Sequence, residues 1–149
     1  MIEEAIIKVK RLSNSSTLPT RGSAAAAGYD LYASLEKPVT IPSHSTIKIP
    51  TDLAFELPKG TFAAIFARSG LATKEGLRPA NCVGVCDSDY RGNYIVALHN
   101  DTDENRLVSP GERIAQMVLL PYISMQFEEV DELDETERSS NGFGSTGQF

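Results

Sequence analysis

The chain has 149 residues, of which 41% are hydrophobic, with a formal net charge of −6 and a pI near 4.9. This length predicts one compact domain that buries roughly two-thirds of the surface its unfolded chain exposes. The acidic balance excludes a protein that tracks nucleic acid, because such a protein needs a basic stripe to neutralise phosphates.

The chain has no apolar stretch long enough to span a bilayer. Its first eleven residues also lack the apolar run of a secretory signal. We therefore expect a cytoplasmic or otherwise intracellular protein with no secretion signal and no membrane partner.

Short segments with two-residue alternation of apolar and polar side chains dominate the chain, and this pattern predicts β-strands. The candidate strands are residues 5–10, 46–50, 53–57, 61–66, 94–99, 113–120 and 126–130. Prolines separate these segments at intervals near ten residues, which favours a β-sandwich, barrel or jelly roll over a βαβ plan. The predicted fold class is all-β.

One short helix is predicted to start after Ser69 and to stop at Gly76, because serine is a favoured N-cap and glycine commonly follows a helix end. Arg68, Ser69 and Gly70 would place a cation, a hydroxyl and an accessible backbone at the electropositive helix end, which favours anion binding. The alternative is an ordinary capped helix with a surface arginine.

The segment CVGVCDSDYRG, residues 82–92, runs from an apolar strand into a turn and on to a second strand at 93–99. This pattern predicts a β-hairpin whose tip carries Asp87, Asp89, Tyr90 and Arg91. A hairpin that only connects strands would use a turn such as Asn-Gly. Aspartate is nevertheless common in turns, so a plain connection is the alternative.

Two cysteines, Cys82 and Cys86, lie four residues apart, a spacing that matches neither a CxxC redox pair nor a zinc knuckle. The two histidines, His44 and His99, are distant in sequence. We expect no protein zinc site, and we expect both thiols on one face of a strand as small buried side chains.

The C-terminal residues 137–149 differ in composition from the predicted domain at 1–136, because glycine and serine dominate them. Such a segment buries too little apolar surface to order itself, so a disordered tail is one interpretation. Phe143, flanked by glycines and preceded by Arg138, favours another. It is suited to closing over a planar ring while the arginine meets a phosphate chain, as a mobile glycine-rich lid would.

Five segments occur in a fixed order, namely AGYDLYA at 27–33, ARSGLA at 67–72, NCVGVCDSDYRG at 81–92, PGERIAQMVLLP at 110–121 and ERSSNGFGSTG at 137–147. In these segments the chain closely resembles the trimeric dUTP diphosphatases, or dUTPases. The resemblance implies a jelly-roll-like β-barrel or sandwich subunit. It also implies hydrolysis of dUTP to dUMP and pyrophosphate with Mg²⁺, which limits uracil incorporation into DNA and supplies dUMP for thymidylate synthesis.

The same resemblance implies a homotrimer in which each active site is shared between subunits. Asp87 would activate the water that attacks the α-phosphorus, since an ionised aspartate accepts a proton from a water within hydrogen-bond reach. Tyr90 would lie under the deoxyribose and crowd a 2'-hydroxyl, and Phe143 would cover the uracil. The implied uracil site consists of Asn81, Gly84, Val85, Cys86 and Ile95. The implied phosphate contacts are Arg68, Ser69, Gly70, Gln116, Arg138, Gly144, Ser145 and Thr146.

Asp30 matches an aspartate that lies near the magnesium ion in the family, which implies an outer-shell role through water. The alternative is a turn residue paired with an arginine such as Arg113. In the tail, Ser139 and Asn141 stand where the family usually has glycine, and asparagine tolerates a positive φ best.

Two other functions stay open from the sequence. The related dCTP deaminases share the subunit fold but not this glycine-rich lid. A trimeric nucleotide-binding regulatory protein would have no need of the intact Asp87.

Overall fold

The computed structural model describes residues 4–149; the first three residues, where the segment tested for a secretion signal begins, lie outside that range. Within it the chain forms eleven strands and one helix. The strands are β1 (Lys8–Arg11), β2 (Tyr29–Tyr32), β3 (Val39–Ile41), β4 (Thr46–Pro50), β5 (Leu53–Glu56), β6 (Thr61–Phe66), β7 (Leu77–Pro79), β8 (Gly84–Asp87), β9 (Ile95–Asn100), β10 (Arg106–Val108) and β11 (Arg113–Pro121), and the helix is α1 (Ser69–Glu75).

All strand pairs are antiparallel. One sheet has four strands in the order β2-β11-β6-β8, another has three in the order β4-β9-β7, and β1-β5 and β10-β3 form two short pairs. Alternating side chains of these sheets meet in one core. Its fully buried members include Leu31, Ile41, Ile49, Leu53, Leu98 and Ile114. The predicted all-β, jelly-roll-like class is confirmed.

The alternation of apolar and polar residues correctly predicted the longer strands. The segments 46–50 and 61–66 coincide with β4 and β6, and the segments 53–57, 94–99 and 113–120 match β5, β9 and β11 to within one residue. The first candidate, 5–10, becomes a strand only from Lys8. The missed strands β2, β3, β7 and β10 have three or four residues each, too few to show a period.

The predicted strand at 126–130 is wrong. These residues have no regular secondary structure, are exposed and pair with no strand among residues 4–149. The apolar alternation is present there, but the chain offers it no sheet edge to join.

The predicted hairpin between 82–87 and 93–99 is also wrong. Strand β8 pairs with β6, whereas β9 pairs with β4 and β7 in a different sheet. Because both edges of β9 are occupied, β8 has no place beside it. The residues between them, 88–94, therefore cross from one sheet to the other.

The short helix is confirmed, but its cap lies one residue earlier than predicted. Arg68 is the N-cap, with extended backbone, and no side chain caps the helix start. Gly76 ends the helix in the left-handed region, with φ 66°, as glycine does most easily. No helix formed by residues 4–149 is long and apolar enough to cross a membrane.

Candidate active site

The outer edge of β8 is the first feature of the site. This strand lies at the end of its sheet and pairs only with β6, so every second residue directs its backbone N–H and C=O away from the sheet. Val85, in this strand, and Ile95, at the start of β9, are exposed, with 60% and 50% of their surface accessible. Gly84 is buried, and a Cβ there would lie 3.1 Å from Ile65 Cβ and 3.2 Å from Asn81 Nδ2.

Asp87 ends β8 with an exposed carboxylate. It opens into a cleft of about 510 Å³ that also contains Ser88 and Asp89. The remaining lining residues are Leu57, Lys59, Arg91 and Tyr122. An acid is therefore presented to solvent beside two cations, in a space that a water molecule and a charged ligand can enter.

The residues that the sequence predicts to bind an anion lie elsewhere. Arg68 Nε donates to Asp30 Oδ1 at 3.0 Å, and Arg113 Nη1 lies 3.8 Å from Asp30 Oδ2. Asp30 is thus paired with Arg113 as the alternative interpretation held, but also with Arg68, and it lies in strand β2 rather than in a turn. Arg68, Gly70 and Arg113 line a second cleft of about 350 Å³.

Gln116 is fixed behind this second cleft. Its Nε2 donates to the carbonyl of Ala67 at 2.9 Å and so holds the residue that precedes Arg68. A Cβ at Gly28 would lie 2.1 Å from Gln116 Oε1. A side chain at position 28 would therefore have to displace the amide of Gln116.

The two clefts lie at opposite ends of β6. Asp30, Gln116 and Phe66 form one row across the sheet, whereas Asp87 is paired with Phe62. Four residues of strand separate the rows, which is about 13 Å. One subunit therefore does not bring Asp87 together with Arg68, Ser69 and Gly70.

Tyr90 lies on the loop that follows β8 and is held from two sides. Its ring stacks on Tyr94, with centroids 6.1 Å apart, and its hydroxyl donates to the carbonyl of Asn93 at 3.0 Å. Tyr94 in turn packs on Phe55 at 4.5 Å. Sequence reasoning missed Asn93 and Tyr94, since neither resembles a ligand-binding residue on its own.

The prediction that both cysteines lie buried on one face of a strand is wrong. Cys82 is exposed and precedes β8, where its thiol accepts from Arg78 Nη1 at 3.0 Å. Cys86 is half-buried in β8. Burial raises the pKa of the Cys86 thiol, and the neighbouring Asp87 carboxylate adds to the rise.

The C-terminal residues beyond Tyr122 form no strand. Residues 123–137 have no regular secondary structure and are exposed, and they contain seven carboxylates from Glu128 to Glu137. Residues 137–149, here called the arm, form turns held by local bonds such as Arg138 Nε to the carbonyl of Asn141 at 2.7 Å. Phe143, Gly144, Ser145 and Thr146 are exposed. No hydrogen bond or ion pair described for residues 4–149 joins the arm to the β domain, residues 4–122.

One expectation about the arm needs correction. Ser139, not Asn141, is the substituted position with positive φ, at 47°, and Phe143 has φ 48°. The left-handed backbone is thus held by a residue that tolerates it less well than asparagine does.

Comparison with known proteins identifies the family. The dUTPase family model matches residues 14–147. The chain belongs to the dUTPase family. It is 52% identical over 146 residues to the deoxyuridine 5'-triphosphate nucleotidohydrolase of Desulfitobacterium hafniense, which covers 95% of this chain and 97% of that protein. The enzyme of the same name from Oryza sativa subsp. japonica is 46% identical over 142 residues, covering 95% of this chain and 81% of that protein.

The structural comparison agrees with this membership. A variant of the dUTPase of Staphylococcus bacteriophage 80alpha, solved with dUpNHpp, superimposes with a TM-score of 0.88 at 26% identity. The match covers 97% of this chain and 100% of the phage chain. The family membership and the fold class that the five sequence segments imply are both confirmed.

The contact between Gly28 and Gln116 gives a prediction for this dUTPase. In Gly28→Ala the new methyl group displaces the Gln116 amide, and the loss of its bond to Ala67 loosens the start of α1. We expect the KM for dUTP to rise about threefold to tenfold, the size of one hydrogen bond. Gly22→Ala is the matched control, because a Cβ there meets nothing within 4 Å. Equal effects of the two substitutions in steady-state kinetics would contradict the prediction.

Proposed function

We propose that this dUTPase hydrolyses dUTP to dUMP and pyrophosphate by the attack of a water molecule activated by Asp87. The observation that carries the proposal is the position of this carboxylate at the exposed end of an edge strand, next to unpaired backbone groups. The proposed proton acceptor and the backbone edge proposed to recognise uracil are thereby adjacent in strand β8. The deaminase and the regulatory protein are not favoured, since the named relatives are dUTP nucleotidohydrolases.

The chemistry requires one proton acceptor and several phosphate donors. The water oxygen forms a bond to the α-phosphorus while the bond from that phosphorus to the bridging oxygen of the leaving pyrophosphate breaks. Asp87 accepts the proton of the attacking water. The charge that builds up on the phosphate oxygens is met by Arg68 and by the backbone at Ser69 and Gly70.

Selectivity for uracil follows from the free edge of β8. Backbone donors and acceptors of Gly84, Val85 and Cys86 complement the edge of one pyrimidine, with Asn81 and Ile95 at its sides. Cytosine presents the reverse pattern and would leave buried polar groups unpaired, which costs more than a lost contact. The closeness of Gly84 to Asn81 supports this arrangement, because it places the Asn81 amide beside the edge.

Magnesium is the proposed cofactor, but one subunit does not offer it a protein cage. Among residues 4–149, no three histidine, cysteine or acidic side chains lie close enough to hold a metal ion. The carboxylate of Asp30 is already paired with Arg68 and Arg113. These residues do not fit a direct ligand set. The oxygens of the triphosphate are the ligands that Mg²⁺ prefers.

We further propose that the sites are shared in a homotrimer. The two clefts lie at opposite ends of β6 in one subunit, so a triphosphate that reaches both residue sets requires a second chain. Ile123, Met125 and Phe127 support assembly, because 89%, 74% and 87% of their surfaces are exposed here. Apolar side chains in such a run normally lie against a partner.

The arm is proposed to close over a neighbouring site. Phe143 is fully exposed and has no partner in the described part of its own subunit, which leaves its ring free to cover a base. Arg138, Gly144, Ser145 and Thr146 would then bring a cation, two hydroxyls and backbone N–H groups to the phosphates. Closure would exclude water other than the attacking molecule.

A nucleotide panel tests the substrate and the cofactor together. Pyrophosphate release should be fast with dUTP and Mg²⁺, and dTTP, dCTP and UTP should each react at least about a hundredfold more slowly in kcat/KM. The reasons differ: dCTP leaves buried polar groups unpaired, the methyl group of dTTP needs space that the site does not offer, and Tyr90 crowds the 2'-hydroxyl of UTP. Removal of magnesium by EDTA should lower the dUTP rate. Ammonia release from dCTP, or equal rates for all four nucleotides, would contradict the proposed function.

The role of Asp87 is tested by Asp87→Asn, which keeps the shape and removes the base. We expect kcat to fall by about three orders of magnitude or more while dUTP binding changes little. Asp89→Asn is the matched control, because it removes a carboxylate from the same cleft. If both variants lose the same activity, the loss reflects the charge of the cleft, not a base.

Shared sites are tested by mixing two inactive forms. Asp87→Asn lacks the base, and a chain ending at residue 137 lacks the arm. When the two are unfolded and refolded together, we expect about a quarter of the parent activity, because each mixed site needs its base and its arm from different subunits. The same proteins refolded separately and combined just before the assay are the control. A mixture that stays inactive would show that each site belongs to one chain.

A further inference from the structure

Asp52 is an unusual residue for its position. It lies in the turn between β4 and β5 with φ 53°, a left-handed backbone that glycine adopts far more easily. Its carboxylate is nevertheless fully bonded. Oδ2 accepts from Ser13 Oγ at 2.9 Å and from Ser34 Oγ at 2.7 Å, and Oδ1 accepts from Asn93 Nδ2 at 2.8 Å.

The bond to Asn93 is one half of a reciprocal pair. The backbone N–H of Asp52 donates to Asn93 Oδ1 at 3.0 Å, so both ends of the amide are fixed by one residue. The next residue, Tyr94, is fixed by backbone bonds to Thr51 and Leu53 at 3.0 and 2.9 Å. The end of the loop after β8 is thus clamped against the turn at Asp52.

This clamp reaches Tyr90 directly. The Tyr90 hydroxyl donates to the backbone carbonyl of Asn93 at 3.0 Å. The ring also covers Gly92 so closely that a Cβ there would lie 2.4 Å from its hydroxyl oxygen. The orientation of the ring therefore depends on where Asn93 is held.

The charge of Asp52 supports this role. Burial alone would raise the pKa of Asp52, but hydrogen bonds from Ser34, Ser13 and Asn93 outweigh it and lower the pKa. The carboxylate is accordingly ionised at neutral pH, and hydrogen bonds to a charged acceptor are stronger than those between neutral groups.

We infer that Asp52 is a positioning residue that, through Asn93, fixes the ring of Tyr90 and so sets how strongly the enzyme rejects a ribonucleotide. The inference rests on the proposed function, in which Tyr90 lies under the deoxyribose. A ring held on one side by Tyr94 and on the other by the Asn93 carbonyl cannot tilt away from a 2'-hydroxyl. Without the clamp it can, and the larger sugar is admitted.

The principal test is Asp52→Gly. Glycine adopts the left-handed backbone without strain. The substitution removes the side chain with its carboxylate and leaves the backbone as it is, so the chain should fold. We expect the ratio of kcat/KM for dUTP to that for UTP to fall about tenfold, the size of one hydrogen bond, through faster reaction of UTP. Asn93→Ala removes this bond and also the one from the backbone N–H of residue 52, so it should give at least the same fall. The double variant should fall no further than Asn93→Ala, because both changes break one path.

The matched control is Ser15→Ala. Ser15 belongs to the same hydroxyl cluster, bonded to Ser34 at 2.7 Å and to Ser13 at 3.0 Å, but it does not touch Asp52 or Asn93. It should lower stability slightly and leave the ratio unchanged. If the control moves the ratio as much as Asp52→Gly, or if Asp52→Gly leaves the ratio unchanged, the inference is overturned.

A second measurement needs no turnover. In protein with ¹³C-labelled tyrosine, the Tyr90 ring signal, assigned with Tyr90→Phe, should shift or broaden in Asp52→Gly and Asn93→Ala but not in Ser15→Ala. An unaltered Tyr90 signal overturns the clamp itself. A parent enzyme that fails to hydrolyse dUTP overturns the proposed function instead, so the two failures are distinguishable.

Discussion

One constraint organises this dUTPase subunit: β8 is paired on one side only. Strand β6 supplies that single partner, and both edges of β9 are occupied by β4 and β7. A free strand edge is normally a liability, because its unpaired N–H and C=O groups invite aggregation. Here the strand has only four residues, and it ends in the acid on which the proposed chemistry depends. The exposed backbone thereby becomes a surface that can read a base.

The same sheet explains why one chain keeps the two sets of predicted site residues apart. Strand β6 places Asp87 at one end and the row of Asp30, Gln116 and Phe66 at the other. Arg68 and Arg113 meanwhile neutralise Asp30. A triphosphate bound as proposed would compete for the same arginines. This competition would relate the proposed phosphate cleft to the internal ion pairs of the chain.

The sequence predicted the fold class, the longer strands and the helix, because alternation and glycine act locally. It failed where the outcome depends on pairing between distant segments. The sequence of residues 82–99 is typical of a hairpin. The two strands nevertheless lie in different sheets, because β4 and β7 already pair with both edges of β9. Residues 126–130 alternate like a strand but have no edge to join. The family motifs predicted which residues would bind a nucleotide. They gave no sign of Asp52 and Asn93, since the role inferred for these two depends on a contact across 41 positions of sequence.

The acidic stretch between the β domain and the arm has a consequence of its own. The seven carboxylates from Glu128 to Glu137, with no cation among them, repel one another, so this tether is stretched by its own charge. Its span, and with it the local concentration of the arm at a distant target, depends on ionic strength, because dissolved ions shorten the reach of such repulsion. The electrolyte around the protein thus sets how far the terminus extends, independently of any contact that the terminus makes when it arrives.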